Sequence, residues 1–227
     1  MHIPSTIVFF DLETGGLEPK HPIIQIAAVA VGRGWRELGT FQRKLQFAEH
    51  QCQREALEHN CYDAATWERE AVPTLQAVAE FGSFLNNHQT VEMVSKRTGK
   101  PYKVARLAGY NCESFDKPRI MELFRQSGQF LPADPRMLDV FQLAMWSFTF
   151  DGKVLPDFKL GTVARHLGVD ASGAHEALAD VRMTIDVAKR VRLGRELPVT
   201  DEDTSEADTS ETNTSDAKAA LAECAAS

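Results

Sequence analysis

The stretch IVFFDLETGG, Ile7–Gly16, sets two acids directly after a run of large apolar side chains. Ile7, Val8, Phe9 and Phe10 read as a buried strand, four β-prone residues in a row, and the pair Gly15–Gly16 closes the stretch. Side chains on a strand alternate between faces, so Asp11 and Glu13 point the same way. Two carboxylates that close raise each other's pKa and cost stability unless something neutralises them. Taken alone, the pair reads either as a solvated turn or as part of a metal site. The second reading requires more carboxylates elsewhere in the chain.

Working outward, 227 residues suit one large domain, or one domain and a tail. No apolar run approaches the length of a membrane span, so no membrane partner is expected. The opening MHIPST lacks a basic region followed by an apolar stretch, and the expected location is cytoplasmic. Cys52, Cys61, Cys112 and Cys224 show no C-x-x-C spacing and read as reduced thiols. The charge is uneven. Residues 201–227 hold eight acids and one base, the whole formal net charge of −7, while residues 1–200 are balanced with 24 of each. Residues 201–217 are mostly Asp, Glu, Ser and Thr, which cannot bury enough apolar surface to offset ordering entropy. The expected organisation is a folded domain over 1–197 and an acidic, disordered tail over 198–227.

Within the folded part, Thr6–Leu12, Ile23–Val31 and Arg36–Leu45 read as strands joined too tightly for crossovers, hence as an antiparallel meander. Short helices follow around EALEHN and YDAATWEREA, and a longer one in PTLQAVAEFGSFLNNH. KVARLAGYN, Lys103–Asn111, reads as the next strand. The helix after it has Ser114 as its expected N-cap. MLDVFQLAMWSF, KLGTVARHLG and ALADVRMTIDVAKRVRL read as the remaining helices. Strands first, then strands alternating with helices, predict an α/β fold with a mixed five-stranded sheet flanked by helices.

The further acids lie at element junctions. Asp116 falls at the start of the helix after the central strand, and Asp180 lies early in the last helix with His175 just before it. His175 and Asp180 are five apart, about 140° around a helix. They converge only if His175 sits in the loop and Asp180 in the first turns. Four carboxylates suit Mg2+ or Mn2+ rather than zinc. Two such ions about 3.5–4 Å apart form the clamp for in-line attack on a phosphodiester, and a histidine can take the water's proton.

On three motifs the sequence resembles the DEDDh 3′–5′ exonucleases, which include the proofreading subunits of bacterial DNA polymerases. FFDLETGGL is similar to the first motif, NCESFDKPRI to the second and HEALADV to the third, in order, over about Thr6–Val191. The resemblance implies a ribonuclease-H-like fold and two divalent cations, Mg2+ or Mn2+, held by Asp11, Glu13, Asp116 and Asp180. It implies His175 as general base in contact with substrate. The backbone around Thr14, Gly15 and Gly16 would hold the 3′-terminal nucleotide, with Leu17 against its base and Asn111 and Phe115 shaping the pocket. Tyr110 departs from the histidine that many relatives carry at that position.

Three features stand apart. SKRTGKPYKVAR reads as a basic hairpin, and Lys96, Arg97, Lys100 and Lys103 are its candidate phosphate contacts. H-x-C occurs twice, at His50/Cys52 and His59/Cys61, but the spacing is unusual for zinc and the segment reads helical. QLAMWSF resembles the Gln-and-aromatic peptides that bind sliding clamps, yet its apolar spacing reads as helix core. The expected activity is release of nucleoside 5′-monophosphates from a single-stranded or frayed DNA 3′ end, in a repair or proofreading setting, with a DNA polymerase as an expected partner. The alternatives are an RNA-trimming enzyme of the same chemistry and a nucleic-acid-binding or polymerase-interaction module without useful catalysis.

Overall fold

The computed structural model describes residues 6–171 and 176–193. His175 and the expected tail lie outside the described residues. The opening stretch forms β1 (Ile7–Thr14), which runs two residues beyond the expected end at Leu12. Glu13 still pairs with Gln25 of β2 (Ile23–Val31), and the ladder is interrupted only between Glu13 and Thr14. Both acids are therefore strand residues, held by a ladder, not turn residues. A short 3-10 turn at Arg33–Trp35 returns the chain into β3 (Glu37–Lys44), completing the expected meander. Next come α1 (Arg54–His59), α2 (Ala64–Glu70), whose first turn is capped by Asp63, and α3 (Thr74–Asn87).

The single strand expected over Lys103–Asn111 is two strands. β4 (Val91–Val94) and β5 (Pro101–Val104) make a separate hairpin, while β6 (Leu107–Gly109) runs parallel to β1 in the main sheet. The change of sheet falls at Ala105 and Arg106. Ala105 N–H donates to the Pro132 carbonyl, and Arg106 pairs with the buried Asp134 at 2.9 Å. Arg106 thus anchors the base of the hairpin.

α4 (Asp116–Gln126) begins after Phe115, and Ser114 does not cap it. The Ser114 hydroxyl instead donates to Asn111, to Oδ1 at 2.7 Å and to the carbonyl at 3.2 Å. β7 (Leu138–Asp139) takes the start of the helix expected from Met137, so α5 spans Val140–Phe150. α6 (Leu160–His166) and α7 (Ala177–Leu193) follow. The sheet order is β3-β2-β1-β6-β7, mixed and five-stranded as expected. Among the described residues no helix is long and apolar enough to cross a membrane.

Alternation along β1 divides the core. Val8, Phe10 and Leu12 pack with α3 and α4 through Phe81, Ile120 and Phe124. Phe9 packs on the other face with α5, α6 and α7 through Val140, Val163 and Val181. Asp11 and Glu13 continue the Phe9 row, so the same periodicity that fills the core aims both acids at α7. On α5, Ala144 and Phe148 are core as expected, but Leu143 and Trp146 of the same QLAMWSF segment are exposed.

Candidate metal centre

Asp180 lies in the first turn of α7, where its N–H donates to the Glu176 carbonyl. One carboxylate oxygen each from Asp11, Glu13 and Asp180 lies within 4.8 Å of the others. Ala27 stands opposite Asp11 on β2, a small residue beside the acid. Asp116 approaches from the start of α4, at the end of the sheet where β6 delivers the chain. It is 4% exposed, and its Oδ1 has no hydrogen-bond partner.

These surroundings oppose ionisation. Burial, then the charge of Asp180, pushes Asp11 up to about 7, against a backbone hydrogen bond at Leu12 that favours the charged form. Burial and the charges of Asp11 and Asp180 push Glu13 up to about 8. Asp116 is held well above the usual carboxylate range by burial and by Asp11. Among the described residues, the charge of Arg119 favours the ionised form of Asp116 and partly opposes this. An orphaned buried oxygen, hard donors and suppressed ionisation are what a divalent-cation site looks like before the ion is counted. The residues present fit that group.

Beside the acids, the loop after β1 is tightly clamped. The ladder irregularity at Glu13/Thr14 turns the chain. Thr14 Oγ1 donates to the Gly16 carbonyl, Asn60 Nδ2 donates to the Thr14 carbonyl, and Gln53 N–H donates to the Gly15 carbonyl at 2.7 Å. Gly15 and Gly16 are required by close approach. A Cβ at Gly15 would sit 2.3 Å from Cys52 Sγ, and one at Gly16 2.3 Å from His21 Nδ1. Leu17 is 78% exposed at the loop's end.

Two residues of the site went unremarked in the sequence. Arg119 spans the loop and the helix. Its guanidinium donates to the Leu17 carbonyl and to the Phe115 carbonyl and lies 3.6 Å over the Phe115 ring. Its Nε is buried without a partner. The signal was present, since Arg119 is three residues after Asp116 on a helix and so shares its face. Asp139 is the other. One carboxylate accepts from the N–H groups of Asn111 (2.9 Å), Glu113 (3.2 Å) and Phe141 (3.0 Å). It thereby caps α5 and holds the turn ahead of Asp116, in which Asn111 has a left-handed φ of 55°. An Asp just ahead of an apolar helix is an N-cap signal. Its long-range partners are not readable from sequence. Tyr110 points away from this turn, donating to the Phe158 carbonyl at 2.6 Å and packing edge-on to Phe141.

The basic hairpin joins the molecule at the other end of β1, where Thr90 Oγ1 donates to the Thr6 carbonyl. Lys96, Arg97 and Lys100 are exposed, and Lys103 lies 3.9 Å from Glu92. Among the described residues, Asp11, Glu13 and Asp180 are the one group with metal-site spacing, and neither H-x-C pair contributes to such a group. Cys52 packs against Gly15 instead.

The mixed sheet, with carboxylates converging from β1, α4 and α7, defines a divalent-metal hydrolase of the nuclease class. A family model described as exonuclease, RNase_T, matches residues 8–188, and the chain belongs to this exonuclease family. Protein NEN2 and Protein NEN3 of Arabidopsis thaliana are each 35% identical over 82 residues, 36% of this chain but only 16% and 15% of theirs. Among solved structures, an exonuclease I structure superposes with a TM-score of 0.66 at 23% identity, over 83% of this chain and 41% of that one. E. coli exonuclease I in complex with a dT13 oligonucleotide gives 0.65 at 22%, with the same coverage. At such identity the superpositions establish the shared fold.

Proposed function

We propose that the chain is a divalent-metal-dependent 3′–5′ exonuclease that releases nucleoside 5′-monophosphates from single-stranded or frayed DNA ends. The observation that carries this is the convergence of Asp11, Glu13 and Asp180 within 4.8 Å, with the buried, unpartnered Oδ1 of Asp116 close to Asp11. DNA is favoured over RNA because exonuclease I of the same fold binds dT13 and dA16 oligonucleotides. The proposed setting is DNA 3′-end repair or proofreading.

In this reading Asp11, Glu13, Asp116 and Asp180 hold two ions, Mg2+ or Mn2+, which supply Lewis-acid stabilisation of the attacking and leaving oxygens. The protein's own work is positional. The Gly16 and Leu17 N–H groups, at the end of the clamped loop, serve as donors for the 3′-terminal nucleotide. Leu17 offers an apolar surface to the terminal base, while Phe115, stiffened under Arg119, and Asn111 bound the sugar side. His175, adjacent in sequence to Glu176 at the head of α7, takes the proton of the attacking water. Digestion of 5′-labelled DNA and RNA of one sequence, with Mg2+, Mn2+ or EDTA, tests the reading. It expects a ladder shortening from the 3′ end on DNA, abolished by EDTA. Cleavage confined to RNA would replace the substrate, and binding without cleavage would replace the activity.

A further inference from the structure

Tyr110–Phe115 separate the end of β6 from Asp116, the first residue of α4. The helix has no side-chain cap at its start, and Asn111 takes a left-handed φ of 55°, uncommon for a non-glycine residue. What holds this turn comes from the chain at β7. Asp139 Oδ1 accepts from the Asn111 N–H at 2.9 Å, and Oδ2 accepts from the Glu113 N–H at 3.2 Å. Glu113 returns the contact. Its Oε1 accepts from the Met137 N–H at 3.0 Å, and its Oε2 accepts from Lys117 Nζ at 2.6 Å. The buried Cys112 thiol donates to the Leu138 carbonyl at 3.8 Å. Met137, Leu138 and Asp139 thus each bind the turn in succession, and β7 serves as its template. The Lys117 N–H, donating to the Cys112 carbonyl at 2.8 Å, passes that order into the first turn of α4.

The ligand at the end of this turn depends on such support. Asp116 is buried, and its Oδ1 has no hydrogen-bond partner of its own. The backbone that carries the residue therefore decides where that oxygen lies relative to Asp11. We propose that Asp139 is a positioning residue for the metal centre. By holding the Asn111–Glu113 turn it places the Asp116 carboxylate beside Asp11, and so sets the affinity for the divalent cation that Asp116 helps to hold. The assignment rests on the metal-dependent reading above. Partners that orient a metal's ligands are worth about tenfold to a hundredfold in affinity.

The competing role for Asp139 is that of a helix cap. Its Oδ1 also accepts from the Phe141 N–H at 3.0 Å, and a cap by itself affects stability and not the metal. Side-chain length separates the two roles. Serine caps a helix about as well as aspartate, but it offers one oxygen on a shorter side chain in place of two.

The test uses the full chain, with Mn2+ as the probe, binding read by electron paramagnetic resonance and melts read in EDTA. Asp139→Ala should lower the metal-free melting temperature and weaken Mn2+ binding by about tenfold to a hundredfold. Asp139→Ser should recover most of the melting temperature and little of the affinity. In an Asp116→Asn background, Asp139→Ser should weaken Mn2+ binding no further, because its effect passes through Asp116. Wild-type Mn2+ affinity in Asp139→Ser overturns the proposal and leaves Asp139 a cap. Full additivity of Asp139→Ser with Asp116→Asn also overturns it, since the metal would then feel Asp139 by another route. Both of those outcomes leave the metal-dependent reading standing. A wild-type chain that binds no Mn2+ overturns that reading, and this assignment with it.

Discussion

Asp116 is the acid most dependent on its neighbours, buried to 4% exposure with one oxygen unpaired and Asp11 beside it. Removing any one charge from such a group relieves repulsion while removing a ligand. Asp11→Asn and Asp180→Asn should therefore abolish cleavage and leave the metal-free melting temperature unchanged or higher, as read by activity assays and melts in EDTA. Arg119 works through others. Replaced by Gln, it should lose its carbonyl bonds to Leu17 and Phe115, about 1.5–3 kcal/mol for bonds from a charged donor. That is roughly tenfold to a hundredfold in affinity. The loss should appear in KM for the 3′ end more than in kcat, with partial recovery in Arg119→Lys. Gly15→Ala should weaken substrate binding through its clash with Cys52 Sγ, and Cys52→Ala in the same chain should restore much of it. Failure of that rescue would show that the loop tolerates no side chain for some other reason. Where these residues act was only partly readable. Asp11, Glu13, Asp116 and Asp180 stand out because acids at strand ends and helix starts need a reason. The Cys52 sulfur behind Gly15 depends on a contact between distant segments that no local pattern encodes.

At the scale of elements, long periodic segments were readable and short ones were not. β2 and α7 match their expected spans residue for residue, because nine apolar-rich residues and seventeen helical ones carry an unambiguous pattern. β7 has two residues, too few for any period, and exists because Ala108 and Gly109 of β6 offer a free edge. The break between β5 and β6 follows from tertiary pairing, Arg106 with Asp134, which overrides a continuous β-prone run. That break also locates the hairpin. Thr6, where the hairpin attaches, is five residues before Asp11, about 17 Å along a strand. If Lys96, Arg97 and Lys100 touch phosphates, they touch them several nucleotides from the 3′ end. Neutralising all three should leave binding of a tetranucleotide unchanged and weaken that of a long single strand. Each lost contact should change the slope of log K against log salt by about 0.7. Fluorescence anisotropy on the two lengths checks this, and an equal effect on both would detach the hairpin from the strand's path.

For the whole molecule, the cluster of acids makes stability depend on pH in an unusual direction. Surface acids such as Glu122, lowered to about 2 by Arg125 and Gln126, contribute stability that is lost only in strong acid. Asp11 and Glu13 have folded-state values near 7 and 8, above the range of an unfolded carboxylate. Between about pH 4 and pH 8 the folded chain then holds protons that the unfolded chain has released, so stability falls as pH rises. The fall is complete once both groups have ionised. A divalent cation favours the ionised form and removes the penalty, and at a hundredfold excess over its dissociation constant adds about 2.7 kcal/mol of its own. Melts in EDTA should therefore decline from pH 5 to pH 8, and melts in saturating Mg2+ should be flat or rise. Other groups also contribute to the pH dependence, so the decisive comparison is with Asp11→Asn. That variant should show a shallower decline in EDTA, because it lacks one titrating group and leaves Glu13 without a charged neighbour on its own strand. Were the variant to keep the full wild-type slope, the decline would belong to other groups, and the acids of β1 would have to be ionised already in the metal-free fold.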